Sequence, residues 1–244
     1  MKQREENMNK IILQTHEFFK TAGFDYAICG GFALDMFASK EIREHGDFDI
    51  LVFKEDKHRA VQFMMDRGWD VFGRFAENGS VWQFLFYKVE DNNDSFWNDC
   101  EGVWAIAPGC LPNVLEKIDR LQGSKHEVYT YKSRKWLVRD KLEFIELAFD
   151  TREGNDYVAS GNPKIARSLD KAILYRDGIP YLAPEIVLYY KSGKNSMENA
   201  YAKPRTIADF KAIMPILSDE SKKWLLDAIG VAFPDGYGWL DGSL

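Results

Sequence analysis

Asp47 and Asp49 are separated by a single residue in the run Asp47-Phe48-Asp49-Ile50-Leu51-Val52-Phe53. On an extended strand, side chains two apart point to the same face. The two carboxylates therefore stand side by side with Phe48 turned away, and the apolar residues after them fit a strand in a sheet centre. Adjacent carboxylates repel and are costly to bury without a cation. A divalent metal removes that cost, and hard cations such as Mg²⁺ prefer oxygen ligands and bridge carboxylates to phosphates. Upstream, Gly30-Gly31 follows the short apolar run Asp25-Tyr26-Ala27-Ile28-Cys29 and precedes a predicted helix over 32–38. Glycine lets backbone approach a ligand closely. A turn that opens a helix also presents N–H groups and the positive helix end to a phosphate. Gly-Gly alone is usually a plain turn, and Asp-x-Asp alone is usually a solvated strand end. In this order, and in matching secondary structure, they describe a site for a metal-bound nucleoside triphosphate. The Walker and Rossmann patterns are both absent.

The elements that must position these residues follow from periodicity. Ile11, Ile12, His16, Phe18, Phe19 and Ala22 recur at mostly helical spacing and stop at Gly23, and residues 56–67 form a second amphipathic pattern closed by Gly68. The first 70 residues thus read helix, strand, helix, strand, helix. Val81–Val89, Glu127–Tyr131 and Leu142–Phe149 read as strands, residues 90–99 as a loop and 151–156 as a polar turn, while 100–125 shows no clear pattern. In the last third, Pro184 sits where a helix through Lys191 would begin. Thr206 with Asp209 resembles a capping box, and Ser218 precedes a helix carrying Trp224, Leu225, Leu226 and Ile229. The expected class is α+β: a mixed sheet with flanking helices over about 1–158, then a small C-terminal helical domain over 175–244.

Composition narrows the function. The 244 residues are 45% hydrophobic and 14% aromatic with a net charge of −6. That is globular material with no disorder signature, and the acidic balance argues against general nucleic-acid binding. Cys29, Cys100 and Cys110 have neither disulfide nor zinc spacing. No secretory or membrane segment is visible, so the expectation is a cytoplasmic protein with no membrane association.

With these residues in place, a resemblance emerges. Gly30-Gly31 followed by Arg43-Glu44-His45-Gly46-Asp47-Phe48-Asp49 resembles the signature of the DNA polymerase β-like nucleotidyltransferase superfamily. The Gly-Gly-Phe-Ala-Leu-Asp opening and the Arg-x-His-x-Asp-x-Asp form are similar to one branch, the aminoglycoside 2″-adenylyltransferases and lincosamide nucleotidyltransferases. Tyr181–Lys191, Ala208-Asp209-Phe210 and Gly238-Trp239-Leu240 also look like that branch. The resemblance implies a polymerase β-like fold. It also implies transfer of a nucleoside monophosphate, AMP from ATP or the equivalent from another NTP, to a hydroxyl of a small acceptor. Two Mg²⁺ ions would assist as pyrophosphate leaves. Asp47 and Asp49 match the family's metal ligands, and Gly30 and Gly31 its phosphate loop. A third carboxylate is required from a neighbouring strand. Glu146 interrupts an apolar strand and is the first candidate, with Glu143 and Asp150 as alternatives.

Arg43 suits phosphate oxygens, His45 could touch a phosphate or hold the loop, and the resemblance brings Lys191 to the triphosphate across an interdomain cleft. Asp35 reads as a helix–loop hydrogen-bonding residue, with a functional role as the alternative. Trp82, Tyr87, Trp97 and Trp104 are core by default, with base stacking as the alternative. The acidic residues Glu90, Asp91, Asp94, Asp99 and Glu101 read as a solvated loop, or as an attractor for a cationic acceptor. Other functions compatible with the same signature are nucleotidylation of tRNA or protein and non-catalytic nucleotide binding. Oligomeric state is not legible.

Overall fold

The computed structural model describes residues 2–76, 84–100, 102–118, 125–131, 141–193 and 202–233. The chain forms two compact units. One contains Met1–Tyr26 and His45–Phe149, the other Ala27–Glu44 and Asp150–Leu244.

The first unit opens with α1 (Lys2–Phe19) and ends its first segment at Tyr26, the first residue of β1 (Tyr26–Ile28), whose other two residues belong to the second unit. It resumes at His45 with β2 (Asp49–Phe53) and α3 (Lys57–Asp66). Between β1 and β2 the chain passes through α2 (Gly30–Ala38), which belongs to the second unit. The apolar faces of α1 and α3 meet through aromatic rings: Phe18 and Phe19 pack on Phe63 with centroids 5.2 and 5.6 Å apart. Phe19 and Phe63 are buried, and each contributes about 1.5–3 kcal/mol by leaving water. The strands β3 (Asp70–Ala76), β4 (Phe84–Lys88), β5 (Gly102–Ile106), β6 (Leu115–Lys117, just after the short helix α4, Leu111–Val114), β7 (Val128–Tyr131) and β8 (Phe144–Glu153) complete the sheet. Their order is β2-β8-β5-β3-β4-β7-β6, and every neighbouring pair from β8 to β6 is antiparallel. Phe48, Ile50, Leu51 and Val52 are buried, as are Val103, Ala105, Ile145 and Leu147. A second apolar cluster gathers Phe72, Phe86, Ile106, Leu115, Tyr129 and Phe144.

In the second unit, the end of β8 pairs with β9 (Asp156–Val158), which pairs with β10 (Ala166–Ser168). After the short helix α5 (Leu169–Ala172) come β11 (Ile173–Arg176) and β12 (Ile179–Leu182), an antiparallel hairpin. β1 joins β12 in parallel, with Ile28 opposite Tyr181. The remaining helices are α6 (Pro184–Lys191), α7 (Ala202–Ile213) and α8 (Asp219–Ala232). α2 packs on α6 and α7, and α6 on α8. The α+β architecture with flanking helices and a C-terminal helical region is therefore as expected. Among the described residues no helix is long and apolar enough to cross a membrane.

Several local expectations change. Residues 151–153 are not a polar turn but the continuation of β8, whose pairing with β9 satisfies their backbone groups; only Gly154-Asn155 turns. Thr206 and Asp209 do not cap a helix start. α7 begins at Ala202, and both side chains are buried within it. Ser218 does cap α8, its Oγ accepting from Ser221 N–H at 3.1 Å. α2 begins at Gly30 rather than Phe32. The strand expected at Val81–Val89 is seen as β4, with Val81, Trp82 and Gln83 outside the described residues, as are Glu101 and Gly238-Trp239-Leu240.

Candidate active site

Asp47 lies just ahead of β2 and Asp49 is its first residue. Phe48 between them is fully buried while both aspartates are only partly covered, so the side chains alternate as an extended chain requires. The backbone N–H of Glu146, on the adjacent β8, donates to the Phe48 carbonyl at 2.9 Å. That register brings one carboxylate oxygen from each of Asp47, Asp49 and Glu146 within 4.8 Å of one another. The other two carboxylates considered are elsewhere. Glu143 precedes β8, and its backbone carbonyl accepts from Ala107 N–H. Asp150 is buried in the second unit. It accepts from the Tyr157 hydroxyl at 2.6 Å, the Tyr190 hydroxyl at 2.5 Å and the Ser160 N–H at 3.0 Å.

Arg74, not anticipated from the sequence, completes this group. On β3 it stands opposite Gly102 of β5, and its Nη1 lies 2.8 Å from Glu146 Oε1. Gly102 makes the approach possible. A Cβ there would sit 3.3 Å from Arg74 Nη2 and 3.4 Å from Glu146 Oε1, tighter than ordinary contact. Burial pushes the Glu146 carboxyl above its usual range; Arg74 opposes that rise and the charge of Asp47 adds to it. Three carboxylates against one guanidinium leave two net negative charges in a partly buried, all-oxygen donor set. Such a set fits a hard divalent cation, which relieves the repulsion without requiring protonation.

The second unit carries the other predicted residues. Gly30 opens α2 at φ +60°, a left-handed conformation that a side chain would strain. Cys29, at the cap position, gives no side-chain hydrogen bond to the first turn. Asp35 Oδ1 accepts from Ile42 N–H at 2.9 Å, so this buried carboxylate folds the post-helix loop back and fixes the direction in which Arg43 leaves it. Arg43 makes a two-point contact with Asp209: Nε to Oδ1 at 2.8 Å and Nη2 to Oδ2 at 2.9 Å. Lys191, the last residue of α6, reaches the same carboxylate with Nζ 3.1 Å from Oδ2. Burial works to raise the Asp209 carboxyl, but Lys191 and Arg43 outweigh it and hold it below its usual range.

Of the remaining candidates, His45 is buried in the first unit. Trp97 is fully buried, with His58 against it at 4.6 Å between centroids, so it is core and not a stacking platform. Trp104 packs among Phe86, Tyr131 and Phe144, and Tyr87 against Phe75 and Phe96. In the acidic loop, Asp91 accepts from Asn93 N–H. Asp94 accepts from Phe96 N–H and lies 3.6 Å from His126 Nε2, so these two carboxylates shape the loop.

A family model described as aminoglycoside-2″-adenylyltransferase matches residues 11–76. That stretch contains Gly30, Gly31, Arg43, His45, Asp47, Asp49 and Arg74. No curated protein gives a significant sequence match. Among solved structures, the chain is similar to ANT(2″)-Ia in complex with adenylyl-2″-tobramycin, at 10% identity over 89% of this chain and 95% of that one, TM-score 0.47. It is similar to the lincosamide antibiotic adenylyltransferase LnuA, lincomycin-bound, at 15% identity over 85% and 97%, TM-score 0.41. An antigenic nucleotidyltransferase-like protein from Paracoccidioides brasiliensis is 14% identical over 94% and 88%, TM-score 0.43. The chain resembles the aminoglycoside and lincosamide nucleotidyltransferase branch, with the family signature lying in residues 11–76.

Proposed function

We propose that this chain, a nucleotidyltransferase by that resemblance, transfers a nucleoside monophosphate, AMP from ATP, to a hydroxyl of a small molecule of the aminoglycoside or lincosamide antibiotic class, with release of pyrophosphate. The observation that carries the reading is the convergence of Asp47, Asp49 and Glu146, whose ligand atoms lie within 4.8 Å of one another beside Arg74. These three carboxylates would hold Mg²⁺, two ions in the full assembly. When bound, such an ion would supply charge neutralisation for the triphosphate and for the oxygens whose bonds change. The chain's own residues do the rest. The first turn of α2, with Gly30 and Gly31, offers backbone N–H groups to phosphate oxygens. Arg43 and Lys191 add positive charge for the triphosphate, His45 supports the segment leading to Asp47, and Arg74 pairs with Glu146 and aims it. The acceptor hydroxyl oxygen attacks the α-phosphorus, a P–O bond forms as the bond to pyrophosphate breaks, and the hydroxyl proton is released to solvent.

The test is pyrophosphate release from ATP, GTP, CTP and UTP across a panel of aminoglycosides and lincosamides, with and without Mg²⁺. Turnover should require Mg²⁺ and one acceptor class, and Asp47→Asn should reduce it by at least about 100-fold. Unaltered turnover in that variant would sink the assignment. Labelling of tRNA or protein in place of an antibiotic would move the acceptor to a macromolecule while leaving the transfer chemistry intact.

A further inference from the structure

We propose that Asp209 is a positioning residue for the nucleotide: it holds Arg43 and Lys191 as one cationic pair shaped for the triphosphate. The inference rests on the reading of Arg43 and Lys191 as phosphate ligands. Two cations drawn together in a partly buried place repel each other and scatter unless an anion stands between them. Asp209 is that anion. Its side chain is 1% exposed against 15% for Arg43 and 21% for Lys191, so the carboxylate lies deeper while each cation keeps some exposure to solvent.

The contact with Arg43 is two-pointed, through Nε and Nη2, and such a fork fixes the plane of the guanidinium as well as its position. Arg43 Nη1 also donates to the Glu44 carbonyl at 3.1 Å, which anchors a third edge of the group. Lys191 is a flexible stem from the last turn of α6, and its tie to Oδ2 selects one direction for its ammonium. The trio carries one net positive charge, enough to favour an anion after the buried carboxylate has been neutralised. Asp209 comes from the buried face of α7, which packs on the helix ahead of Arg43 and on the helix carrying Lys191. A cap would need this aspartate at a helix start. Its place in the middle of α7, between two cations from distant parts of the chain, fits positioning.

The test uses the full chain and Asp209→Asn, which keeps the volume but loses the charge and one acceptor oxygen. Circular dichroism and a melting curve establish that the variant is folded. Calorimetric titration with inorganic tripolyphosphate, then with Mg²⁺-ATP, reads the pair directly. Tripolyphosphate affinity should fall about tenfold or more in Asp209→Asn. In an Arg43→Gln background the same change should cost less than about threefold, because the residue acts through Arg43. A merely structural role would lower the melting temperature while leaving the affinity of the folded fraction, and its additivity with Arg43→Gln, untouched. Either of those two results overturns the proposal, as does a wild-type chain that binds neither probe. Asp209→Glu should recover only part of the affinity, since the longer arm moves both cations. Binding of tripolyphosphate without any pyrophosphate release from ATP would defeat the transferase reading and leave the positioning role of Asp209 standing.

Discussion

Replacing Arg74 with methionine removes the guanidinium beside Glu146 while keeping most of the aliphatic packing. The ion pair is 2.8 Å long, and its side chains are 21% and 15% exposed. Breaking a fully buried pair by deleting one partner costs about 3–5 kcal/mol, because the remaining charge is left uncompensated. Solvent reaches this pair, so roughly half of that, about 2 kcal/mol, is expected. The negative charge of Asp47 nearby makes the orphaned carboxylate worse off. For a chain of this size the loss corresponds to about 4–8 °C in melting temperature.

A divalent metal changes the result in a way that ordinary destabilisation does not. If Asp47, Asp49 and Glu146 hold Mg²⁺, the ion supplies the missing positive charge. The gap between Arg74→Met and wild type should then shrink by at least half in saturating Mg²⁺. The assay is differential scanning fluorimetry in EDTA and in Mg²⁺, with calcium-free buffers. The Glu146→Gln background is the control: with no carboxylate to orphan, Arg74→Met should cost about 1 kcal/mol less than in wild type. An unchanged metal-free melting temperature in Arg74→Met, or a loss identical with and without Mg²⁺, would refute the charge argument.

Gly102→Ala brings a methyl within 3.3–3.4 Å of the Arg74–Glu146 pair and must shift it by a few tenths of an ångström. Mg²⁺-dependent turnover should fall by up to about tenfold in a protein that still melts cooperatively, read by pyrophosphate release. Ser218→Ala removes the cap of α8 and should lower stability by about 1 kcal/mol in urea titrations without altering turnover. Tyr26 is pushed from 10.0 to about 12, chiefly by burial, with the charge of Glu17 adding to it. Because the folded value lies above the unfolded one, the hydroxyl's contribution is complete below about pH 10 and is lost as pH rises towards about 12. Wild type should therefore lose stability more steeply than Tyr26→Phe between about pH 10 and pH 12 in denaturant titrations, and equal slopes would show that the shift is absent.

The fold was legible where the chain speaks locally. The helical spacing that ends at Gly23, the continuous apolar run after Asp49 and the proline at the start of α6 each state one element through its own residues. Elements whose reason is distant were not legible. β5 (Gly102–Ile106) is a short apolar run like many others until β3 and β8 pair on either side of it. The polar residues Thr151–Glu153 look like a turn because their composition is that of a turn. They are strand because β9 supplies the hydrogen-bond partners. Thr206 and Asp209 have the spacing of a capping box, but spacing cannot tell a helix start from a buried helical face.

The same division runs through the site, and it separates ligands from their counter-charges. Asp47 and Asp49 are two residues apart, so strand geometry alone makes them neighbours. Glu146 stands out in the sequence because a charge in an apolar strand needs a partner, but that partner lies on another strand. Arg74 and Asp209 are the partners, and although Asp209 lies in the Ala208-Asp209-Phe210 run, nothing in the sequence around either residue names the charge it pairs with. Arg74 lies in β3, between the helix closed by Gly68 and the strand read from Val81, and Asp209 is 166 residues from the arginine it orients. Electrostatics requires both. A group of three carboxylates could not persist half-buried with no cation beside it, and Arg43 and Lys191 could not be held close together with no anion between them. A sequence that presents a cluster of like charges therefore implies an opposite charge elsewhere in the chain. Here each cluster's net charge after that compensation, negative for the carboxylates and positive for the Arg43–Lys191 pair, still matches the sign of the partner proposed for it: a divalent cation for one, phosphate oxygens for the other.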